Sequence, residues 1–368
     1  MKRTLLTLLA ACLSLSTQAA TPTPPSTPHL RLVARMATLQ KRGIMIGHQD
    51  DPLYGHSWAW TTGRSDVKEV TGSYPAVMGF ELGWLEVDST RSLDKVPFDR
   101  LRREAIAQHK RGGIVTLSWH PINPLNDKSA WDPMPDNVRT LLPGGKDNAR
   151  LQQYLDRLIA FFKTLTDSHG QPIPFIFRPW HEMSGGWFWW GSKSCTPEEY
   201  KALYRYTHDY IQAAGFLNIL WAYSPNYENP ESLEKYLTFY PGDGYVDLLG
   251  IDLYDFNHDN DAYTAQVRDA MAVLTAAGQQ QRKLIAFSET GQQQLPEPKW
   301  FTSVLWPVIK DIPLTYVLFW RNAWDQPKET YVPYAAEPTH TQPAHATASD
   351  FRAFARLTRT LFLKDITR

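Results

Sequence analysis

Cysteine is nearly absent from this chain of 368 residues, which contains only Cys12 and Cys195. So few thiols exclude a disulfide framework and a thiolate metal cluster. An excess of charge is also lacking, because 38 Lys and Arg balance 38 Asp and Glu. Proteins that bind nucleic acid or an anionic membrane surface carry a basic excess, so we expect neither as a partner. Nothing in the sequence implies a protein partner, and we expect a monomer.

Long hydrophobic runs are missing as well. The apolar run at residues 5–15 is too short to span a bilayer, and no other stretch is apolar enough. A basic start precedes this run and small residues follow it, which is typical of an export signal over residues 1–20. The Leu-Ala-Ala-Cys run that ends at Cys12 also fits a lipoprotein signal, so a lipid anchor is the alternative. Residues 21–28 are a proline-rich spacer, and we predict a periplasmic or secreted protein.

A glycine-rich phosphate turn, which a doubly wound dinucleotide-binding sheet needs after its first strand, is the last missing feature. What is present, from residue 43 onward, is a repeated pattern in which a short apolar run ends in polar or aromatic residues and a helical segment follows. Eight such units predict a (β/α)8 TIM barrel, a single α/β domain over residues 29–368. The predicted strands are residues 43–48, 76–82, 113–120, 173–180, 218–224, 246–254, 283–289 and 314–321.

Helix and loop signals fit this architecture. A helix is predicted over residues 29–41, another begins at the capping box Thr196-Pro197-Glu198-Glu199, and a last one covers residues 349–364. Long loops at residues 121–146 and 325–347 follow the third and eighth strands. Such loops at the carboxyl ends of barrel strands form the walls of a substrate site.

Two predicted strands close on a glutamate. The fourth ends in His181-Glu182 and the seventh in Ser288-Glu289. Polar residues at the carboxyl end of a barrel strand point into the site. Two carboxylates that face each other there suit glycoside hydrolysis, in which one protonates the leaving oxygen and the other attacks or activates water. A single glutamate could equally be a structural ion-pair partner, but a pair makes that interpretation weaker.

Tryptophan is abundant, with 14 residues. Sugar rings pack their C–H faces on aromatic rings, so tryptophans near strand ends favour a carbohydrate site. We expect Trp180 and Trp221 to be core residues, and the Gly185–Gly191 loop to do more than pack. The tryptophans at or just beyond predicted strand ends are Trp119, Trp180, Trp187, Trp189, Trp190, Trp320 and Trp324.

These motifs resemble a known family. The stretch Arg178-Pro179-Trp180-His181-Glu182-Met183, followed by Trp187 and Trp190-Gly191, is similar to glycoside hydrolase family 26, the β-mannanases of clan A. Ser288-Glu289-Thr290-Gly291 matches the nucleophile strand of that family, and Gly250-Ile251-Asp252-Leu253-Tyr254 matches its sixth strand. The resemblance covers the barrel from about residue 40 to the end.

The resemblance implies roles for the residues around the two carboxylates. Glu182 would be the acid/base and Glu289 the nucleophile, with Tyr254 bonded to Glu289 to keep it ionised. His181 would position the acid and contact the sugar. The acid must hold its proton near neutral pH, so we expect an apolar wall and the charge of Glu289 to raise the pKa of Glu182. Retaining chemistry places the two carboxyls about 5–5.5 Å apart.

The resemblance also implies a set of sugar contacts. Trp187 and Trp320 would be sugar platforms around the scissile bond. His120 would bind a sugar hydroxyl on the non-reducing side, and Arg321 would bind one unit further out. Asp252 lies two residues before Tyr254 on one strand, so we expect it to face the same pocket.

Other polar residues carry weaker signals. His48, Asp50, Asp51 and His56 follow the first strand and invite a metal site, but two histidines one residue apart are not found there. They are more typical of side chains that hold a loop together or line a distal sugar site. Glu81 is either a pocket residue or a buried ion-pair partner. We expect no metal and no cofactor.

The function that the resemblance implies is a retaining β-mannanase, which cleaves β-1,4-mannosidic linkages in mannan, galactomannan or manno-oligosaccharides. The same fold and mechanism could act on mixed-linkage β-glucan or β-xylan, because few groups read the axial O2 of mannose. A non-catalytic carbohydrate-binding barrel would lack one of the carboxylates, and both are present. If the long loops wall off the cleft after two sugars, mannobiose would be the main product.

Overall fold

The computed structural model describes residues 27–229, 231–336 and 343–367. The predicted export signal, Cys12 and most of the proline-rich spacer lie outside these residues, so export stays a prediction. Within the described ranges, every helix is too short or too polar to cross a membrane.

Eight parallel strands form a closed barrel, as the sequence predicts. Each strand pairs with the next in chain order, and the last pairs with the first. The observed ends lie within about three residues of the predicted ones. The strands are β1 (Ile44–Gln49), β2 (Val77–Glu81), β3 (Ile114–Ser118), β4 (Phe175–Arg178), β5 (Ile219–Tyr223), β6 (Leu248–Asp255), β7 (Leu284–Gln292) and β8 (Leu314–Phe319).

Helices connect the strands. The helix after β4 begins as predicted, because the Thr196 side chain accepts from the Glu199 amide and the Glu199 carboxylate accepts from the Thr196 amide. A 3₁₀ turn spans Leu85–Val87 and a π-helix spans Trp300–Leu305. The α-helices are α1 (Pro28–Gln40), α2 (Asp66–Thr71), α3 (Phe98–Lys110), α4 (Asn137–Leu141), α5 (Asn148–Phe162), α6 (Pro197–Gln212), α7 (Leu233–Leu237), α8 (Asn260–Gln281), α9 (Trp306–Ile309), α10 (Ala348–Phe354) and α11 (Leu363–Ile366).

The core has two apolar clusters on opposite faces of the strands. Ile44 and Ile46 belong to the larger cluster, which packs the helices against the barrel. Met45 points to the other face and joins a smaller cluster that includes Leu32 and Met36 of α1. Because successive side chains in a strand alternate, this pattern fixes which residues face the barrel interior. Helix α1 packs against β1, β5 and β8.

The predicted helix at residues 349–364 is wrong. Helix α10 ends at Phe354, and residues 360–361 instead form a short strand parallel to β1. The hydroxyl of Thr360 lies 2.9 Å from the carbonyl oxygens of Phe354 and Leu357, where it replaces the missing helical bonds. The apolar periodicity misleads because Phe351 and Phe362 are both buried, although they belong to different elements.

Candidate active site

A cavity of about 760 Å³ opens at the carboxyl ends of the strands. All nine side chains that the sequence places in the site line this one cavity. This is the position that a barrel enzyme uses. These residues are His120, His181, Glu182, Trp187, Asp252, Tyr254, Glu289, Trp320 and Arg321.

Glu182 sits in a left-handed backbone turn just after β4. Both Trp180 and Glu182 have φ of 55°, which is unusual for residues other than glycine. The Glu182 amide donates to the Ser224 carbonyl oxygen at 2.8 Å, which holds this turn against β5. Strained backbone of this kind persists where the surrounding structure fixes it, and it concentrates at functional sites.

The environment of Glu182 favours its neutral form. Burial, and then the charge of Glu289, raise the pKa of Glu182 to about 7. The Trp187 indole N–H donates to Oε2 of Glu182 at 2.9 Å and opposes this shift, because it stabilises the charged form. A carboxyl with such a pKa is protonated in a large share of molecules at neutral pH and can act as a general acid.

A bulge in β7 places Glu289. Along the β6–β7 pair, Ile251 lies opposite Phe287 whereas Asp252 lies opposite Glu289, so Ser288 is an extra residue. Bulges re-aim side chains beside active sites. As a result, two consecutive side chains of β7 reach polar groups of the site: Ser288 contacts Asp252, and Glu289 reaches the pair of donors described next.

Glu289 accepts hydrogen bonds on both oxygens. The Tyr254 hydroxyl donates to Oε2 at 2.6 Å, and the Arg178 guanidinium donates to Oε1. Burial and the charge of Glu289 raise the pKa of Tyr254 well above its usual value, so it keeps its proton as a donor. The two donors fix the orientation of the carboxylate.

Asp252 lines the floor of the cavity, but both of its oxygens are hydrogen-bonded to other side chains. Its Oδ2 accepts from Arg178 Nη1 at 2.9 Å and its Oδ1 accepts from the Ser288 hydroxyl at 2.6 Å. With both oxygens occupied and the residue buried, its geometry suits support of Arg178 better than the predicted contact with sugar. One oxygen each of Glu182, Asp252 and Glu289 lie within 4.8 Å of one another, a spacing that could hold a cation. Arg178 already supplies a positive charge to two of these carboxylates.

A chain of hydrogen bonds joins Glu81, His120 and His181 in the lining of the cavity. Glu81 Oε2 lies 2.8 Å from His120 Nδ1, and His120 Nε2 lies 2.9 Å from His181 Nε2. Burial would raise the pKa of Glu81, but His120 and the bonds to Ser118 lower it to about 2. Burial alone would lower the pKa of His120, but Glu81 outweighs it and raises that pKa. Burial and the charges of Arg178 and His120 lower the pKa of His181 well below its usual value, which favours a neutral ring whose Nε2 can accept from His120.

The tryptophans divide into a buried layer and an exposed rim. Trp180 and Trp221 are core residues, as predicted, and Trp189 and Trp190 are buried with them. The Gly185–Gly191 loop does more than pack, as predicted, because Trp187 and Phe188 line the cavity while Trp189 and Trp190 belong to the core. Trp187 is 41% exposed at the mouth of the cavity, where a sugar ring could stack on it. Trp119 is also buried, whereas Trp320 and Trp324 are partly exposed.

Ion pairs tie Arg321 to two loops. Its Nε donates to Glu329 at 2.8 Å and its Nη1 donates to Asp94. Lys95 also pairs with Asp325. The segment after β2 thus reaches across to the segment after β8 at one end of the cavity.

The polar residues at the end of β1 and in the loop after it bond to one another and to neighbouring segments. His48 Nδ1 lies 3.0 Å from Asp51, and the Tyr54 hydroxyl donates to Asp50 at 2.8 Å. The ring of His56 stacks on Tyr334 at 3.8 Å. These contacts agree with the loop-holding interpretation of this motif.

Several cavity residues were not singled out from the sequence. Trp131 is 49% exposed and stacks on His120, with ring centres 5.2 Å apart and planes 12° apart. It lies in the long loop after β3, where the only signal was its residue type. In the sequence, Arg178 stands out only as the first residue of the stretch that ends at Met183. Its bonds to Glu289 and Asp252 depend on the register of β6 and β7. Further residues of the lining are Asp94, Phe188, Asn226, Phe256, Gln293, Glu329 and Tyr331.

A closed parallel barrel whose mouth holds two carboxylates in contrasting environments, rimmed by tryptophan, defines the class of barrel glycosidases. The chain belongs to glycosyl hydrolase family 26, whose family model matches residues 22–304. This match confirms the resemblance drawn from the strand-end motifs.

Known proteins of the same kind are similar over most of the chain. A mannan endo-1,4-beta-mannosidase of Bifidobacterium adolescentis is 34% identical over 279 residues, which are 70% of this chain and 28% of that protein. One from Bacillus subtilis strain 168 is 27% identical over 288 residues, with 74% and 73% covered. The structure of a GH26 beta-mannanase from Bacteroides ovatus has 39% identity and a TM-score of 0.87, with 94% and 98% of the two chains covered. The chain thus spans little more than a quarter of the Bifidobacterium relative.

Proposed function

We propose that this protein is a β-mannanase that hydrolyses β-1,4-mannosidic linkages in mannan, galactomannan or manno-oligosaccharides. The observation that carries the proposal is the pair Glu182 and Glu289 at the barrel mouth. Burial and the neighbouring charge raise the pKa of Glu182 to about 7, which suits an acid. Glu289 accepts from Tyr254 and Arg178, which suits a charged nucleophile. The names of the relatives support mannan as the substrate.

We propose a retaining, double-displacement reaction. Glu182 protonates the leaving oxygen while Glu289 attacks the anomeric carbon and forms a glycosyl-enzyme intermediate. Glu182, now a carboxylate, then takes a proton from the water that hydrolyses this intermediate. One oxygen of each carboxylate lies within 4.8 Å of the other. This close approach supports a retaining enzyme, whose carboxyls lie about 5–5.5 Å apart, over an inverting one, whose carboxyls lie about 6.5–9.5 Å apart.

We further propose that mannobiose is the main product. The ion pair of Asp94 with Arg321 joins two loops at one end of the cavity. A cleft closed at that end admits a short stretch of sugar on the non-reducing side. The segment that carries Asp94 adds to the predicted wall from the loop at residues 121–146, in which Trp131 lines the cavity.

The test is a panel of three polysaccharides. The purified protein is incubated with galactomannan, lichenan and xylan, and the released oligosaccharides are identified, with Glu289→Ala as the matched control. We expect the wild type to release oligosaccharides from galactomannan and from neither lichenan nor xylan. The Glu289→Ala variant should release none from any of the three. Products from lichenan or xylan alone would favour the glucan or xylan alternative. Binding of galactomannan without any product would favour a non-catalytic barrel.

A further inference from the structure

A second, smaller cavity lies beside the active site. Its volume is about 280 Å³, close to the lower limit of cavities that hold small molecules, about 300–1,000 Å³. Leu93, His120 and Trp131 line both cavities, so the two spaces meet at these side chains. Trp84 lines only the smaller one. No role assigned above to the acid, the nucleophile or their supports uses this second space.

Trp84 is held in an unfavourable backbone conformation at the wall of this cavity. Its φ is 75°, in the left-handed region that bulky side chains avoid, and its ring is 37% exposed. The buried carboxylate of Glu86 accepts from the Trp84 amide at 3.2 Å, from the Trp119 indole at 3.0 Å and from the Ile122 amide at 2.9 Å. These bonds tie the Trp84 turn to the segment after β3. A strained residue that presents an aromatic ring to solvent is a candidate for a binding role.

The chemistry of the cavity suits a sugar. Trp84 and Trp131 offer two partly exposed indole rings, and Asp127, Lys128 and Ser129 border the same space with charged and hydroxyl groups. Apolar faces beside hydrogen-bonding groups are what a pyranose ring requires. Trp131 stacks on His120, so the second cavity begins where the active-site wall ends.

We infer that this second cavity binds a single hexosyl branch carried by the main sugar chain, and thereby favours branched substrate. The inference rests on the proposed function. The two cavities are continuous at His120 and Trp131, and this continuity favours a branch of the main chain over a separate sugar as the ligand. Trp320 and Arg321, which line the end of the main cavity, do not line the second one. A sugar in the second cavity would therefore be attached to the main chain near His120, while the main chain itself continues toward Arg321.

The experiment compares two substrates at equal chain length. One is mannopentaose and the other is mannopentaose with an α-1,6-galactosyl branch, and the readout is the ratio of kcat/KM for branched over linear substrate. In Trp84→Gly, which removes the ring and suits the positive φ, we expect the ratio to fall about tenfold, as loss of one aromatic platform implies. Asp88→Gly is the matched control, because Asp88 also has a positive φ of 61° in the same turn but does not line the cavity. We expect the control to keep the wild-type ratio.

A second variant guards against a folding effect at the strained turn. Ser129→Trp places bulk in the cavity from a lining residue outside that turn and should lower the same ratio. An unchanged ratio in both variants would overturn the inference, as would equal losses on the two substrates, which would make the cavity part of the main-chain site. A wild-type protein inactive on both substrates would refute the proposed function instead, and that outcome is distinct from either ratio result.

Discussion

At the scale of single residues, the contrast between Glu182 and Glu289 governs the pH dependence. Glu182 must be protonated to act as an acid, and its pKa is raised to about 7. Activity should therefore fall as the pH rises through that pKa, which gives the alkaline limb of the pH profile. The indole N–H of Trp187 stabilises the charged form of Glu182 and limits the shift.

Trp187→Phe tests this bond. Loss of one hydrogen bond worth about 0.5–1.5 kcal/mol should move the alkaline limb of kcat/KM upward by about half to one pH unit. Trp131→Phe is the control, since Trp131 lines the cavity but stacks on His120 instead of contacting Glu182. Trp131→Phe should weaken substrate binding and leave the alkaline limb of kcat/KM at the wild-type pH. A limb that stays put in Trp187→Phe, or moves downward, would contradict the assignment of Glu182.

Glu182→Ala separates the acid role from other losses. Hydrolysis of mannan should fall by about 10²–10⁴-fold, the usual worth of general acid catalysis. An aryl mannoside with a very acidic leaving group needs no proton, so its first step should fall much less. The burst of released phenol in stopped-flow measurements reports that step. A loss in the burst rate of the aryl mannoside as large as the loss in mannan hydrolysis would reject Glu182 as the acid.

The sequence predicts these residues because a barrel sends polar residues at strand ends to one mouth. Asp252 shows the limit of that argument. Strand alternation places it on the side of Tyr254, but its two oxygens bond to Arg178 and Ser288. Those partners depend on the bulge at Ser288, which no local pattern in the sequence reveals. Trp131 could not be placed either, because its position depends on the path of a long loop.

At the scale of elements, the contact between the loops after β2 and β8 decides the product. The Asp94 carboxylate is bonded to the half-buried Arg321 guanidinium. Asp94→Ala should loosen this contact and open that end of the cleft. In a time course on mannohexaose, the wild type should release mannobiose almost alone at first, whereas the variant should also release trimer and tetramer.

Lys95→Ala is the matched control for the loop contact. Its ion pair with Asp325 is largely exposed on the lysine side, and such pairs contribute about 1 kcal/mol or less. The control should keep the wild-type products. An early spread of products from the wild type would show an open cleft and remove the mannobiose proposal.

Element types and order follow from the sequence, since the eight apolar runs and the capping box at Thr196 are local signals. The last helix fails for a tertiary reason. Residues 360–361 form backbone pairs with β1 instead of continuing α10. A helical period of apolar residues cannot distinguish these two outcomes when both bury the same phenylalanines.

At the scale of the whole molecule, the segment after α10 packs against the start of β1. A Cβ at Gly43 would lie 2.2 Å from the Arg359 carbonyl oxygen, and the Ile44 amide donates to the same oxygen. Gly43→Ala should therefore lower the free energy of unfolding by about 1–3 kcal/mol, because backbone must shift. The midpoint of urea unfolding measures this change.

Gly244→Ala is the control for that substitution. No atom lies within 4 Å of a Cβ at Gly244. The alanine should leave the stability unchanged or raise it by up to about 1 kcal/mol through the unfolded chain. Equal midpoints for the two variants would mean that the contact between Gly43 and Arg359 is not tight.

The stereochemistry of the first product tests the central claim most directly. Mannohexaose is digested in heavy water inside the spectrometer, and the anomeric proton signals of the new reducing ends are recorded before mutarotation mixes them. A reaction through a glycosyl-enzyme on Glu289 retains the configuration. The account therefore predicts the β-anomer first, with the α-anomer growing later by mutarotation. Early appearance of the α-anomer would contradict it.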